Sequence, residues 1–138
     1  MGDILMYRIL IVDDNYENRQ LIAEILREVA ECDFAANGKE AIDAYNLALE
    51  KGQPYNLLLL DIELPEVNGL DILDKIRESE KSVGIPLGEG IPVIIVTAYE
   101  KRFLEAYNKG CDDYLLKPID SDTLLKKIAS ALEKSNRE

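Results

Sequence analysis

The sequence contains no histidine and no tryptophan in its 138 residues. Without histidine, Ser-His-Asp and Cys-His catalysis are excluded, and most zinc sites with them. Cysteine is scarce: Cys32 and Cys111 stand apart, with no CxxC spacing. Two isolated thiols, in a chain without a signal-peptide pattern, fit small packing residues in a reducing cytosol. No apolar run approaches the roughly 18 residues of a spanning helix. No basic segment followed by an apolar stretch opens the chain. A cytoplasmic protein with no membrane insertion is therefore expected. Positive charge is also short: 16 Lys and Arg stand against 27 Asp and Glu, for a formal charge of −11. That balance argues against direct nucleic-acid binding by this domain. There is no GxxxxGK-Ser/Thr phosphate loop. No internal repeat, low-complexity tract or linker interrupts the chain.

What is present fits one folded domain over residues 1–138, with 47% hydrophobic residues to build a core. Short apolar runs alternate with amphipathic segments. Ile9-Leu10-Ile11-Val12 reads as a first strand, cut off by Asp13-Asp14-Asn15. Leu21, Ile22, Ile25, Leu26 and Val29 fall at helical spacing over residues 16–29. Residues 32–35 are a weaker strand. Asn37 and Glu40 can form a capping box, ahead of a helix whose inner face carries Ala41, Ile42, Tyr45, Ala48 and Leu49. Residues 55–60 form a third strand, and its four consecutive leucines suit a strand covered on both faces. Leu70, Leu73 and Ile76 mark a third helix. Residues 82–90, with Gly84, Pro86, Gly88 and Gly90, read as a long surface loop. Val93-Ile94-Ile95-Val96 is a β-branched fourth strand. Phe103, Leu104 and Tyr107 belong to a fourth helix that Gly110 can stop. Residues 114–116 are a short fifth strand. Leu124, Leu125, Ile128 and Leu132 stripe a last helix, capped by Asp120 or Ser121.

Five strand–helix units in succession predict an α/β fold: a doubly wound, five-stranded parallel sheet with five helices on its two faces. The flavodoxin-like strand order 2-1-3-4-5 is expected, with ligands beyond the carboxyl ends of the strands, near the first and third. The start close to the first strand favours a natural N-terminus. No output domain follows the last helical stripe within these residues.

Chemistry-bearing residues recur at those strand ends. Asp13 and Asp14 follow the first strand, Asp61 the third, Thr97 ends the fourth, and Lys117 follows the fifth before Pro118. Each alone has a plain structural role, as helix cap, strand terminator or turn. One such group at four of five strand ends is hard to obtain by chance. Three carboxylates in one pocket repel one another unless a cation intervenes. Mg²⁺ fits best, because it takes one or two carboxylates, keeps waters and binds a substrate phosphate. Lys117 adds an ammonium and Thr97 a hydroxyl donor. The set makes a cradle for a tetrahedral dianion, as phosphoryl transfer needs. Asp61, on a central strand, is the expected nucleophile, forming an acyl phosphate. Asp14 is expected as the direct metal ligand, with Asp13 acting partly through water.

These pieces carry a family resemblance. Ile9-Leu10-Ile11-Val12-Asp13-Asp14-Asn15, Leu59-Leu60-Asp61-Ile62-Glu63-Leu64-Pro65 with Asn68-Gly69, Val96-Thr97-Ala98 and Asp113-Tyr114-Leu115-Leu116-Lys117-Pro118 resemble the receiver domains of bacterial two-component response regulators. The likeness runs from Tyr7 to about Leu132. It implies a regulator, not an enzyme, with at most slow self-catalysed phosphorylation and dephosphorylation. The lack of an output domain within these residues leaves open a stand-alone regulator, a phosphate shuttle or one receiver of a hybrid kinase. Asp61 would take a phosphoryl group from a phosphohistidine of a sensor histidine kinase or histidine phosphotransfer protein. Asp13, Asp14, Asp61 and the backbone carbonyl of Glu63 would hold Mg²⁺. Thr97 and Lys117 would contact the phosphoryl oxygens, and Ala98 is small where the backbone must approach them. Tyr114 would be the switch aromatic, signalling to an unknown downstream effector, and the Lys117–Pro118 bond would be cis. Glu63 and Tyr99, two residues beyond Asp61 and Thr97, would shield or steer an attacking water and so influence acyl-phosphate lifetime. The alternative is a phosphohydrolase with an aspartyl nucleophile. Such enzymes usually carry Asp-x-Asp after the first strand and a cap insertion, both lacking here. A flavin carrier on the same fold would need a Ser/Thr/Gly-rich loop where Asp13-Asp14 stands, and an inert docking receiver would not need the complete set.

Overall fold

The computed structural model describes residues 6–64 and 68–135. Pro65, part of the motif around Asp61, lies outside them. Five strands form one parallel sheet: β1 (Tyr7–Val12), β2 (Ala30–Ala35), β3 (Leu57–Asp61), β4 (Val93–Thr97) and β5 (Asp113–Leu116), in the order β2-β1-β3-β4-β5. The helices are α1 (Tyr16–Leu26), α2 (Gly38–Glu50), α3 (Gly69–Ser82), α4 (Arg102–Asn108) and α5 (Ser121–Ser135). The expected order is therefore the observed one.

The two-residue period of the strands divides the core into two layers. Leu10, Val12, Leu58, Leu60, Val93 and Ile95 face α2, α3 and α4, meeting Ala41, Tyr45, Leu73, Ile76 and Ala106. Ile9, Ile11, Leu57, Leu59, Ile94 and Val96 face α1 and α5, meeting Ile22, Leu26, Leu124 and Ile128. The four leucines of β3 thus go two to each side, as a strand buried on both faces requires. Parallel register then aligns the carboxyl ends. Val12 pairs with Leu60, Asp61 with Val96, and Thr97 with Leu116.

Several local expectations shift. α1 stops at Leu26 rather than 29, and Val29 is exposed. The Arg27 N–H turns back to Glu24 O, the Val29 N–H bonds Leu26 O, and Val29 O accepts from Tyr7 N. The chain is already turning into β2 where the apolar stripe would continue. Leu21 is likewise exposed, on the flank of the buried Ile22–Leu26 face. In α4 the sheet-facing residues are Phe103 and Ala106, three apart, while Leu104 and Tyr107 point outward. β3 begins at Leu57, and Tyr55 packs ahead of it with its hydroxyl on Asp33 Oδ2 at 2.7 Å. The capping box at α2 is displaced by one residue. Asn37 Oδ1 accepts from Glu40 N, but Glu40 Oε1 accepts from Ala36 N rather than from Asn37 N. α5 is capped by Asp120, whose Oδ2 takes the Thr123 N–H at 2.9 Å. Gly110, at φ 101°, follows α4 in a conformation that would strain any other residue.

Candidate functional site

Two short turns at the sheet edge aim the buried carboxylates. The Asn15 N–H donates to Asp13 Oδ1 at 2.8 Å, and the Glu63 N–H donates to Asp61 Oδ1 at 2.8 Å. Both are aspartates bonding the backbone two residues on, a local device that fixes the side-chain rotamer. Asn15 also caps α1, accepting from Asn18 N. Gly69 makes the second turn possible, because a Cβ there would lie 2.4 Å from Ile62 Cα. The start of α3 can press directly on the end of β3 only without a side chain at that point.

Asp13 and Asp61 are 2% and 3% exposed, whereas Asp14 lies at the open rim. One oxygen from each of the three lies within 4.8 Å of the others. Burial raises the Asp13 pKa above the carboxylate norm, the Asn15 N–H opposes that, and the charge on Asp61 adds to it. Arg19 reaches the same corner but donates to the Asp13 backbone carbonyl at 2.7 Å. Lys117 Nζ donates to Asp61 Oδ2 at 2.9 Å. Burial works against the Lys117 charge, but the Asp61 hydrogen bond and the charges of Asp61, Glu63 and Asp13 outweigh it and raise its pKa. Three carboxylates against one ammonium leave an excess of negative charge and a set of hard oxygen donors. That chemistry suits a divalent cation such as Mg²⁺.

The expected residues therefore meet at one edge. Thr97 is fully buried, and its Oγ1 accepts from Tyr99 N at 3.1 Å. The Lys117 N–H donates to Thr97 O, and the Lys117–Pro118 peptide is cis, as the resemblance implied. What sequence reasoning missed is the reach of the Glu63 side chain. Its Oε2 accepts from Thr97 Oγ1 at 2.5 Å and its Oε1 from the Ala98 N–H at 2.8 Å. Lys117 Nζ stands 3.8 Å from Oε1 and Arg102 Nη1 3.6 Å from Oε2. Arg102 also donates to Asn68 Oδ1, which caps α3 by accepting from Leu70 N.

The model of the response regulator receiver domain matches residues 9–129. The chain belongs to that family. It is 35% identical over 130 residues to the transcriptional regulatory protein SrrA of Staphylococcus aureus, covering 92% of this chain and 48% of that protein. It is 33% identical over 118 residues to hybrid signal transduction histidine kinase L of Dictyostelium discoideum, covering 83% of this chain and 7% of the kinase. The chain thus spans about half, or far less, of the length of these curated relatives. Among solved structures, a CheY-like receiver domain protein from Methanospirillum hungatei JF-1 is 32% identical with a TM-score of 0.75, over 96% of this chain and 98% of that one. The chemotaxis protein CheY4 of Vibrio cholerae shares the fold, with a TM-score of 0.77 at 23% identity, over 92% of this chain and 99% of that one. Receivers are phosphoacceptor signalling domains, and these matches do not favour the phosphohydrolase reading.

In this receiver Tyr114 packs its ring 4.6 Å from Phe103, centroid to centroid, under Lys127 Nζ at 4.4 Å. Its hydroxyl donates outward to Glu100 Oε1 at 3.3 Å. Tyr99 is exposed at the rim. No helix among the described residues is long and apolar enough to cross a membrane.

Proposed function

We propose that this receiver stores a signal as a phosphoryl group on Asp61, taken in the cytoplasm from a phosphohistidine of a sensor histidine kinase or phosphotransfer protein. The observation that carries the reading is the convergence of Asp13, Asp14, Asp61, Thr97 and Lys117 at one sheet edge, with the Lys117 ammonium on the Asp61 carboxylate. An Asp61 oxygen would form the new bond to phosphorus as the P–N bond breaks and its electron pair returns to the imidazole. Asp13, Asp14, Asp61 and the Glu63 carbonyl would hold Mg²⁺, which when bound neutralises charge on the transferring group. Lys117 and Thr97 would bind the phosphoryl oxygens. Drawing Thr97 toward them would free space for Tyr114 to move, passing the change to an effector. Phosphorylation and hydrolysis by the chain alone would be slow.

Incubation with Mg²⁺ and acetyl phosphate, followed by intact-mass measurement, tests this. Wild type should gain one phosphoryl group, and Asp61→Asn none. Equal uptake by the two proteins, or sustained multiple turnover of a small phosphate ester, overturns the assignment.

A further inference from the structure

The Glu63 side chain turns toward the donors of the cradle, Thr97 and Ala98. Its two oxygens take the Thr97 hydroxyl and the Ala98 N–H, with Lys117 and Arg102 flanking them. Two hydrogen-bond donors and two cations converging on one oxyanion make a complete anion site. Lys117 Nζ bridges that site and the Asp61 carboxylate, which places the bound carboxylate beside Asp61 rather than remote from it. We propose that Glu63 is a resident stand-in for the phosphoryl group: its carboxylate fills the phosphoryl cradle in the unphosphorylated chain and must leave before the dianion can enter.

This rests on the reading of Asp61 as phosphoacceptor and adds a competitor to it. In the resting chain the donors are satisfied without phosphate, so none is left buried and unpaired. When acetyl phosphate reacts, an Asp61 oxygen bonds phosphorus, the P–O bond to the acetyl group breaks, and acetate leaves with the electron pair. The entering oxygens then need Thr97, Ala98 and Lys117, and Glu63 gives them up. Arg102 is the residue through which this exchange reaches α4. It holds Glu63 on one side and Asn68 at the start of α3 on the other, so expulsion of the carboxylate removes one of its two anchors.

A stand-in differs from a merely nearby negative charge in its dependence on reach. Glu63→Gln removes the charge. Glu63→Asp keeps the charge but is one methylene shorter and cannot span to Thr97 and Ala98. Both should raise the initial rate of Asp61 phosphorylation by acetyl phosphate, and tighten beryllofluoride binding in Mg²⁺, by about fivefold, the scale of one ordinary hydrogen bond's net contribution. The Ala98 amide resonance should shift in both variants, while amides of α2 stay in place and report an intact fold. If Glu63→Asp behaves as wild type, the effect is one of charge alone and the stand-in is refuted. If neither variant differs from wild type while Asp61→Asn still abolishes uptake, this inference fails and the phosphoacceptor reading stands. If Asp61→Asn takes up phosphate like wild type, the underlying reading fails with it.

Discussion

At the scale of single residues, Asp13 shows what a candidate metal site costs in stability. Its carboxyl is buried among like charges, and its pKa in the folded chain lies above the unfolded value of 3.8. A carboxyl shifted in that direction favours the fold most when protonated. Its contribution is greatest below 3.8 and is lost as pH rises from there through the folded pKa, so at neutral pH the ionised group destabilises the metal-free chain. Asp13→Asn keeps an oxygen for the Asn15 N–H but removes the charge. Without Mg²⁺ at pH 7 it should therefore melt at a higher temperature than wild type. The order should reverse in Mg²⁺, because a cation at 100 times its dissociation constant stabilises the fold by about 2.7 kcal/mol and the variant has lost part of its site. Differential scanning fluorimetry with and without Mg²⁺ decides this, and a variant that melts lower in both conditions contradicts it.

At the scale of elements, the loop over residues 83–90 is tied down by one buried carboxylate at the end of α3. Glu80 is 4% exposed and accepts from Tyr45 Oη at 3.0 Å, Ile91 N at 2.6 Å and Arg77 Nη1 at 2.8 Å. Arg77 in turn holds the carbonyls of Gly110 and Ile91. A Cβ on Gly90 would sit 2.0 Å from Glu80 Oε1, and a carboxylate with three donors cannot swing away freely. Glu80→Ala should cost about 3–5 kcal/mol, as for a broken buried pair. Gly90→Ala should also destabilise, but only while Glu80 is present. Chemical denaturation of the two single variants and the double variant measures the coupling, and simple additivity would refute the clash.

The same scale separates what was legible in the sequence from what was not. β-branched and leucine runs bounded by polar turns exposed β1, β3 and β4, while β2 and β5 left weaker signals; the parallel sheet then forced Asp13, Asp61, Thr97 and Lys117 to one edge. Helix ends were less legible. Val29 continues the apolar stripe of α1 by period, yet the backbone has left the helix to reach β2. α4 has only two turns, too few for its stripe to distinguish Phe103 and Ala106 from Leu104 and Tyr107. Glu63 was legible as a pocket neighbour but not as a ligand of Thr97 and Ala98. Its reach depends on a turn whose geometry leaves no periodic trace, and on donors 34 and 35 residues away.

At the scale of the whole molecule, the question is how far an event at Asp61 travels. On the proposed reading, the β4–α4 segment would respond. Thr97 lies in the cradle, Arg102 opens α4 on the Glu63 carboxylate, and Phe103 beside it stacks on Tyr114 of the neighbouring strand. α4 has seven residues and no side-chain N-cap, so few hydrogen bonds resist its movement. Beyond it, Tyr99, Leu104 and Tyr107 present exposed apolar surface whose arrangement would change with the helix. α2, by contrast, is thirteen residues long, capped by Asn37, and packed on the layer's far side against β1 and β2. Beryllofluoride with Mg²⁺ should therefore change hydrogen–deuterium exchange over residues 97–108 and at Tyr114, and leave α2 unaffected. Tyr114→Ala should bind beryllofluoride as wild type does but show a smaller change over residues 97–108, because the ring that couples β5 to Phe103 is gone. A change of equal size in Tyr114→Ala would mean that the signal reaches α4 through Thr97 and Arg102 alone.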